Sequence, residues 1–293
     1  MQLLDVERLC RAVVPGAGSV AIEALGAGLI SETYRVARDG AAYTLKVASE
    51  PRPELRLDPA WEARVLELAG GVGLAPRLVY FALDRGVLLT RWAEGRCWSS
   101  REVTAAANLE KLAALLRRVH ALAAPIPARA VTPLQWIEIY DAALSRRTSS
   151  SSDPVLRSAA LARTETLGKL PRTAGVVCHS DLHAMNLLQQ DDSLILLDWE
   201  YAHVTDPFWD LAGWCANNDF AVEVQWRLLT HYLGNAPMSS QWPRFRLLLA
   251  LYDYVCLLWS QLYLSERRAE ANGVAERARL LDARLRLPAH YAA

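Results

Sequence analysis

The sequence predicts an α+β chain in two parts, a small antiparallel sheet followed by a larger, mainly helical region. Three observations predict it. Between residues 25 and 90, short apolar runs are broken by glycines, with Asp39-Gly40 as a hairpin turn. From residue 101 onward, Ala- and Leu-rich stretches repeat at helical spacing. One stretch breaks that helical pattern. The apolar run Val176-Val177-Cys178 leads into the polar loop His179-Ser180-Asp181-Leu182-His183-Ala184-Met185-Asn186. A second apolar run, Leu194 to Leu197, then ends in Asp198-Trp199-Glu200.

The elements can be justified in order. Residues 2–14 form an amphipathic helix, with Leu3, Leu4, Val6, Leu9, Cys10 and Val13 largely on one side. Leu25 to Val36 sets apolar residues around Gly26 and Gly28 and then alternates as a strand past Ser31. Ala42 to Val47 is the next strand, and it carries Lys46. Residues 58–70 form a helix opened by Asp58-Pro59, a capping acid followed by a first-turn proline, and closed by Gly70, Gly71 and Gly73. Pro76 to Tyr80 and Gly86 to Thr90 complete the sheet, and Thr90-Arg91-Trp92-Ala93-Glu94-Gly95 leaves it. Helices over 101–123, 133–146 and 155–168 follow, with His120 as a satisfied core histidine. Thr148 to Pro154 cannot bury apolar surface and is expected to be a mobile loop. Asp206 to Trp214 opens another helix. The most apolar helix, 246–264, contains Asp253, Ser260 and Gln261, which mark it as buried rather than membrane-spanning. Glu266 to Arg286, dense in Arg and Glu, reads as a solvated closing helix.

Composition narrows the function classes. A chain of 293 residues suffices for two lobes around a cleft. The formal net charge of zero provides no basic field for nucleic acid and no basic tail for a membrane surface. Five cysteines, odd in number and without a C-x-x-C pair, argue against a disulfide framework or zinc site and for a reducing compartment. Acids among the first eight residues do not fit a signal peptide. Together these point to a cytoplasmic protein, monomer or homodimer, with a small-molecule substrate.

The polar loop carries the chemistry. Phosphoryl transfer from a metal–nucleotide complex needs a carboxylate to orient the acceptor hydroxyl and take its proton. It also needs an amide oxygen and a further carboxylate to hold the metal. Asp181, Asn186 and Asp198 supply that set, the last two at one end of a hairpin formed by Leu187-Leu188 and Leu194 to Leu197. Glu200 follows Asp198 by two residues and would share its strand face. The alternation of His179, Asp181 and His183 also resembles a metallohydrolase ligand set. Such a site needs further ligands on later strands, and only His203, His231 and His290 remain.

His179-x-Asp181-x-x-x-x-Asn186, followed by Asp198-Trp199-Glu200-Tyr201, resembles the catalytic core of the choline/thiamine kinase and aminoglycoside phosphotransferase superfamily. Asp206-Pro207-Phe208-Trp209-Asp210-Leu211-Ala212 is most similar to its choline and thiamine kinase branch. The resemblance implies a bilobal protein-kinase-like fold, with a nucleotide-binding lobe over 1–93 and a catalytic and substrate lobe over 94–293. It implies ATP and Mg2+ as cofactors, with Asp181 as catalytic base and Asn186 and Asp198 as metal ligands. Gly28, Ser31 and Lys46 would serve the phosphates, although the third glycine of the usual loop is missing. Glu62, preferred to Glu67, would pair with Lys46, and Arg91 and Trp92 would lie in the hinge that meets the adenine. On the substrate side the resemblance implies His183, Glu200 and Asp210, the last as a possible brace of the loop. Trp209, Tyr252 or Tyr254, and Trp259 could form an aromatic cage beside Asp253. Aromatic faces and an acid suit a quaternary ammonium. The implied reaction moves the ATP γ-phosphoryl to the primary hydroxyl of a small cationic metabolite, choline or ethanolamine first. Thiamine, an amino sugar or aminoglycoside, and an inactive kinase-like binding protein are the alternatives.

Overall fold

The computed structural model describes residues 3–27, 31–48, 55–147, 152–266 and 272–291. The chain divides into two compact units. One comprises residues 1–53, 57–97 and 185–202, the other 54–56, 98–184 and 203–293. The segment that carries Asn186 and Asp198 thus belongs to the first unit.

The first unit is built on a five-stranded antiparallel sheet. Its strands are β1 (Ala21–Ala27), β2 (Ser31–Arg38), β3 (Ala41–Ala48), β4 (Leu78–Ala82) and β5 (Val87–Arg91), in the order β1-β2-β3-β5-β4. The period of two explains its faces. Tyr43, Leu45 and Val47 of β3 point into a core with Val36, Leu89 and the buried side of helix α1 (Leu3–Val13), formed by Val6, Leu9, Cys10 and Val13. Thr44 and Lys46 are therefore turned to the opposite face. Helix α2 (Pro59–Gly71) starts at Asp58, whose carboxylate accepts the Trp61 amide at 2.9 Å, and it buries Trp61, Glu62, Val65 and Leu66. Strand β1 is a correction, because no separate strand was expected there. Residues 21–27 are rich in Ala and contain a bulge between Ala24 and Gly26, so they carry no alternating apolar signal.

Strands β7 (Leu187–Gln190) and β8 (Ser193–Leu196) form a hairpin with Leu187 opposite Leu196. Three backbone ties join it to the first unit. Leu196 donates to the Leu74 carbonyl at 2.8 Å, and Arg96 and Gln189 exchange amide–carbonyl bonds of 3.1 and 2.9 Å. Gly95 makes the second contact possible. Its φ is 142°, and a Cβ there would lie 2.7 Å from the Gln189 carbonyl oxygen.

The second unit is mainly helical. It contains α3 (Ala106–His120), α4 (Pro133–Arg147), α5 (Pro154–Lys169), α6 (Phe208–Asn217), α7 (Val222–Leu233), α8 (Gln241–Glu266) and α9 (Asn272–Leu285). A short antiparallel pair, β6 (Val176–Cys178) with β9 (His203–Thr205), precedes and follows the hairpin in sequence. Residues 101–105 were expected to be α-helical but contain a single 3-10 turn at Glu102–Thr104. Helix α8 is the centre, packed by α4, α5, α6 and α9. Its Gln241–Ser265 stretch is long and apolar enough to cross a membrane, but its most apolar window is 72% buried within the protein. Helix α9 is another correction, because Arg277 and Arg284 donate to Ala216, Asn217 and Asp219, so it is docked by charge rather than solvated. Of the expected mobile loop, 148–151 lie outside the described residues. Ser152 donates to Asp141 at 2.6 Å, and Asp153 caps α5 through the amides of Val155 and Leu156.

Candidate active site

The predicted site residues fall into two groups, one in each unit. In the first unit, a cavity of about 410 Å³ opens on the face of β3 away from α1. This is within the range of pockets that hold small molecules, roughly 300–1,000 Å³. Thr33, Thr44 and Lys46 line it from the sheet, Glu62 from α2, and Asn186 and Asp198 from the open end of the hairpin. Leu88, Leu188 and Trp92 contribute apolar walls. The Leu197 amide donates to the Asn186 carbonyl at 2.9 Å, closing the hairpin beneath these two residues.

Lys46 is the hub. Its Nζ lies 2.5 Å from Glu200 Oε2, 2.7 Å from Asp198 Oδ1 and 3.4 Å from Glu62 Oε1. Burial alone would lower the Lys46 pKa, but Asp198, Glu62 and Glu200 hold it well above the ordinary value. Burial raises the Glu62 carboxyl despite Lys46, and it pushes Glu200 up to about 8. One cation thus faces three carboxyl groups, more acids than it can pair. Asp198 is the most exposed of the three, at 40% of its side chain. A carboxylate and an amide oxygen in such a setting fit a hard divalent cation.

The remaining first-unit residues vary. Glu67 is exposed on α2, while Glu62 is buried toward Lys46. The Trp92 ring lines the cavity, but its amide is already bonded to the Ala42 carbonyl at 3.0 Å. The Arg91 side chain is not on the cavity. It donates to the Tyr43 hydroxyl at 3.0 Å and lies over that ring. Ser31 is buried in β2 and does not line the cavity, and Gly28 lies outside the described residues. Glu200 is a correction in its reasoning and its place. Strand β8 ends at Leu196, Asp198 has a φ of 59°, and Glu200 lies in a turn, so strand periodicity does not orient it. It meets Lys46 instead of standing with the substrate residues. Sequence reading missed Thr33 and Thr44, although Thr44 shares the strand face of Lys46 and Thr33 pairs with Lys46 in register.

In the second unit, the 179–184 loop is held by Asp210. This carboxylate is buried, and it accepts the His179 amide at 2.9 Å and the Ser180 amide at 2.7 Å. His120 Nε2 approaches it at 3.1 Å. Burial would raise the Asp210 pKa, but the His120 and backbone bonds hold it below the ordinary value. Asp210 therefore fills the brace role and has no free side for a substrate. Ser180 has a φ of 69°, a left-handed conformation that costs a non-glycine residue about 1–3 kcal/mol. His179 Nδ1 accepts the Asp181 amide at 3.3 Å, and Asn217 donates to the Leu182 carbonyl at 2.8 Å. The Asp181 carboxylate is about one-third exposed, and His183 Nε2 lies 3.7 Å from it. His120, Cys178 and Asp210 lie close enough together to suggest a metal site, with their donor atoms within 4.8 Å. Asp210 is instead occupied by two amides and His120, and the other His120 nitrogen by Tyr232 at 2.8 Å. His203, a candidate in the metallohydrolase reading, is buried and accepts from Trp136 at 3.3 Å.

The aromatic stripe splits. Trp209 packs on Tyr252 with centroids 5.1 Å apart, and Trp259 stacks on Tyr263 at 5.7 Å. A Cβ on Gly213 would meet the Tyr252 ring at 2.9 Å, so this glycine lets α6 and α8 approach. Burial raises the pKa of both Tyr252 and Cys256, and Asp181 is close enough to add to the rise. Tyr254 is a correction. It is two residues from Tyr252 on a helix, buried, and its neighbours are Ser152, Asp141 and Arg157. Asp253 is corrected too, because Arg284 and the Tyr291 hydroxyl bond it in the interior, so it is not the acid of a cage.

Solved structures share this fold. A choline/ethanolamine kinase family protein from Mesorhizobium loti aligns with a TM-score of 0.78 over 97% of this chain and 94% of that one, at 22% identity. The choline kinase LicA from Streptococcus pneumoniae aligns with a TM-score of 0.80 over 97% and 98%, at 20% identity. At these identities the likeness is one of fold. Protein LicA of Haemophilus influenzae is 51% identical over 35 residues, a stretch that is 12% of this chain and only 13% of that protein. Residues 21–248 match the model of the phosphotransferase enzyme family, and the chain belongs to that family.

Proposed function

We propose that this protein is an ATP-dependent kinase that phosphorylates the primary hydroxyl of a small cationic alcohol, choline or ethanolamine first. One observation carries the proposal. A buried lysine, its glutamate partner and two candidate metal ligands, Asn186 and Asp198, all line one cavity of nucleotide-compatible size. In this reading Lys46 holds the α- and β-phosphates, and Glu62 and Glu200 keep its ammonium charged and extended. Magnesium, when bound by Asn186 and Asp198, supplies charge neutralisation at the phosphates. Asp181 orients the acceptor hydroxyl, whose oxygen bonds the γ-phosphorus as the bond to the β-phosphate bridging oxygen breaks. The hydroxyl proton passes to Asp181, and ADP leaves. Trp259, partly exposed and stacked on Tyr263, supplies aromatic surface on α8, whereas Trp209 and Tyr252 are buried against each other, and Asp181 contributes the negative charge. The kinase names of the structural relatives support the same reading. A cytoplasmic location belongs to the proposal and is supported by five unpaired cysteines.

The test is an ATP-consumption screen with magnesium across choline, ethanolamine, thiamine, an amino sugar and an aminoglycoside. Asp181→Asn serves as the blank and is expected to lower turnover by about 10²–10⁴-fold with the fold intact by circular dichroism. Turnover of thiamine alone would move the substrate within the branch. Equal turnover in the variant would remove Asp181 from the chemistry.

A further inference from the structure

Tyr232 has no part in the chemistry proposed above, yet its hydroxyl lies 2.8 Å from His120 Nδ1. His120 Nε2 lies 3.1 Å from Asp210, the carboxylate that accepts the His179 and Ser180 amides. Donor capacity fixes the protons. An ionised carboxylate only accepts, so Nε2 carries a hydrogen. In the neutral ring Nδ1 is then an acceptor, and the Tyr232 hydroxyl donates to it. Tyr232 is itself held in place. Arg117, one turn before His120 on α3, donates to the carbonyls of His231 at 2.6 Å and Tyr232 at 3.2 Å. A cation there also suits the C-terminal end of α7. Phe208, two residues before Asp210, packs edge-on against the Tyr232 ring at 6.2 Å.

We infer that Tyr232 is a positioning residue for the Asp181 loop. By donating to His120 Nδ1 it reinforces the tautomer that Asp210 calls for, with Nε2–H toward the carboxylate, and thereby steadies the carboxylate that holds the Ser180 amide in its left-handed backbone. The effect on turnover rests on the phosphotransferase reading above, whereas the effect on the loop does not. Tyr232→Phe is the informative change, because it keeps the ring against Phe208 and His120 and removes one donor.

The test uses the full chain. In histidine-labelled protein, nitrogen NMR is expected to show His120 as a single Nε2–H tautomer, and as a mixture in Tyr232→Phe. Amide exchange at His179 and Ser180 is expected to quicken by about tenfold or more in the variant, a local opening. With an accepted alcohol, kcat is expected to fall about tenfold while the ATP KM stays within about twofold, as for a misplaced reacting group. His120→Gln can donate to Asp210 and accept from Tyr232, and is expected to keep kcat within about threefold, whereas His120→Leu is not. In a His120→Leu background, Tyr232→Phe should have no further effect. An unchanged tautomer and unchanged exchange in Tyr232→Phe, or additive losses in the double variant, would overturn the inference. Should Asp181→Asn retain full activity, the phosphotransferase reading fails, and the tautomer and exchange measurements still decide this one.

Discussion

The two units treat buried charge in opposite ways. In the first, one ammonium faces three carboxylates, and burial holds Glu62 and Glu200 above their ordinary range. In the second, Asp210 is equally buried, yet its carboxyl stays below the ordinary range because two backbone amides and His120 meet its oxygens. The difference is one of donors against charges. Where donors match the lone pairs, a buried carboxylate is settled and serves as structure. Where carboxylates outnumber cations, the arrangement is poised to change when a further cation arrives.

The sharpest way to break this contrast is Asp210→Ala. It strands two amides in the interior and is expected to lower stability by about 2–6 kcal/mol, at 1–3 kcal/mol for each unsatisfied group. A lowered urea midpoint with an unchanged slope would register it. A midpoint that does not move would mean that water satisfies the loop and that Asp210 is not its anchor. Lys46→Met is next. Removing one preorganised donor from transferring phosphoryl groups is expected to cost about 10²–10³ in turnover. Single-turnover rates equal to the wild type would place the phosphates elsewhere.

Acidity sharpens the comparison further. Glu200 is raised on folding from its ordinary 4.5 to about 8. A raised carboxyl binds its proton more tightly when folded. Its contribution to stability is complete below pH 4.5 and is lost as pH rises toward 8. Thermal scans without magnesium should therefore show a decline across that window, reduced in Glu200→Gln. A decline of equal size in the variant would assign it to another group. The smallest effect is expected within α2. Glu62→Gln should raise the ATP KM by about tenfold, or 1.4 kcal/mol. The exposed Glu67→Gln should shift it by less than about 0.5 kcal/mol. Equal effects would cancel the distinction between the two glutamates.

Much of the fold was legible because periodicity was strong. Strand β3 carried its alternation openly, and α2 carried its cap and its closing glycines. Strand β1 was not legible, since Ala residues and a bulge leave no period to read. At the site, residues close in sequence were legible and those joined by tertiary contact were not. Asp181, Asn186 and Asp198 stand in one readable pattern, while the Thr33–Lys46 register and the turn that brings Glu200 to Lys46 depend on folding. The aromatic stripe misled for a similar reason. Helical spacing distinguishes Tyr252 from Tyr254 only once the buried side is known, and Asp253 looked available until Arg284 and Tyr291 were seen to bond it.

The hairpin of residues 185–202 completes the first unit although residues 98–184 precede it in the chain. On the ribosome this sets an order of events. A nascent chain ending at residue 97 has the sheet, α2, Lys46 and Glu62. It lacks the Leu196 amide that meets Leu74 and the strand that meets Arg96, and it lacks Asn186, Asp198 and Glu200. Since domains generally form as they emerge, this one must wait. Its cavity cannot close until the Asp181 loop has already been synthesised, so no product truncated before Asp198 can assemble the lining that joins Lys46 to Asn186 and Asp198.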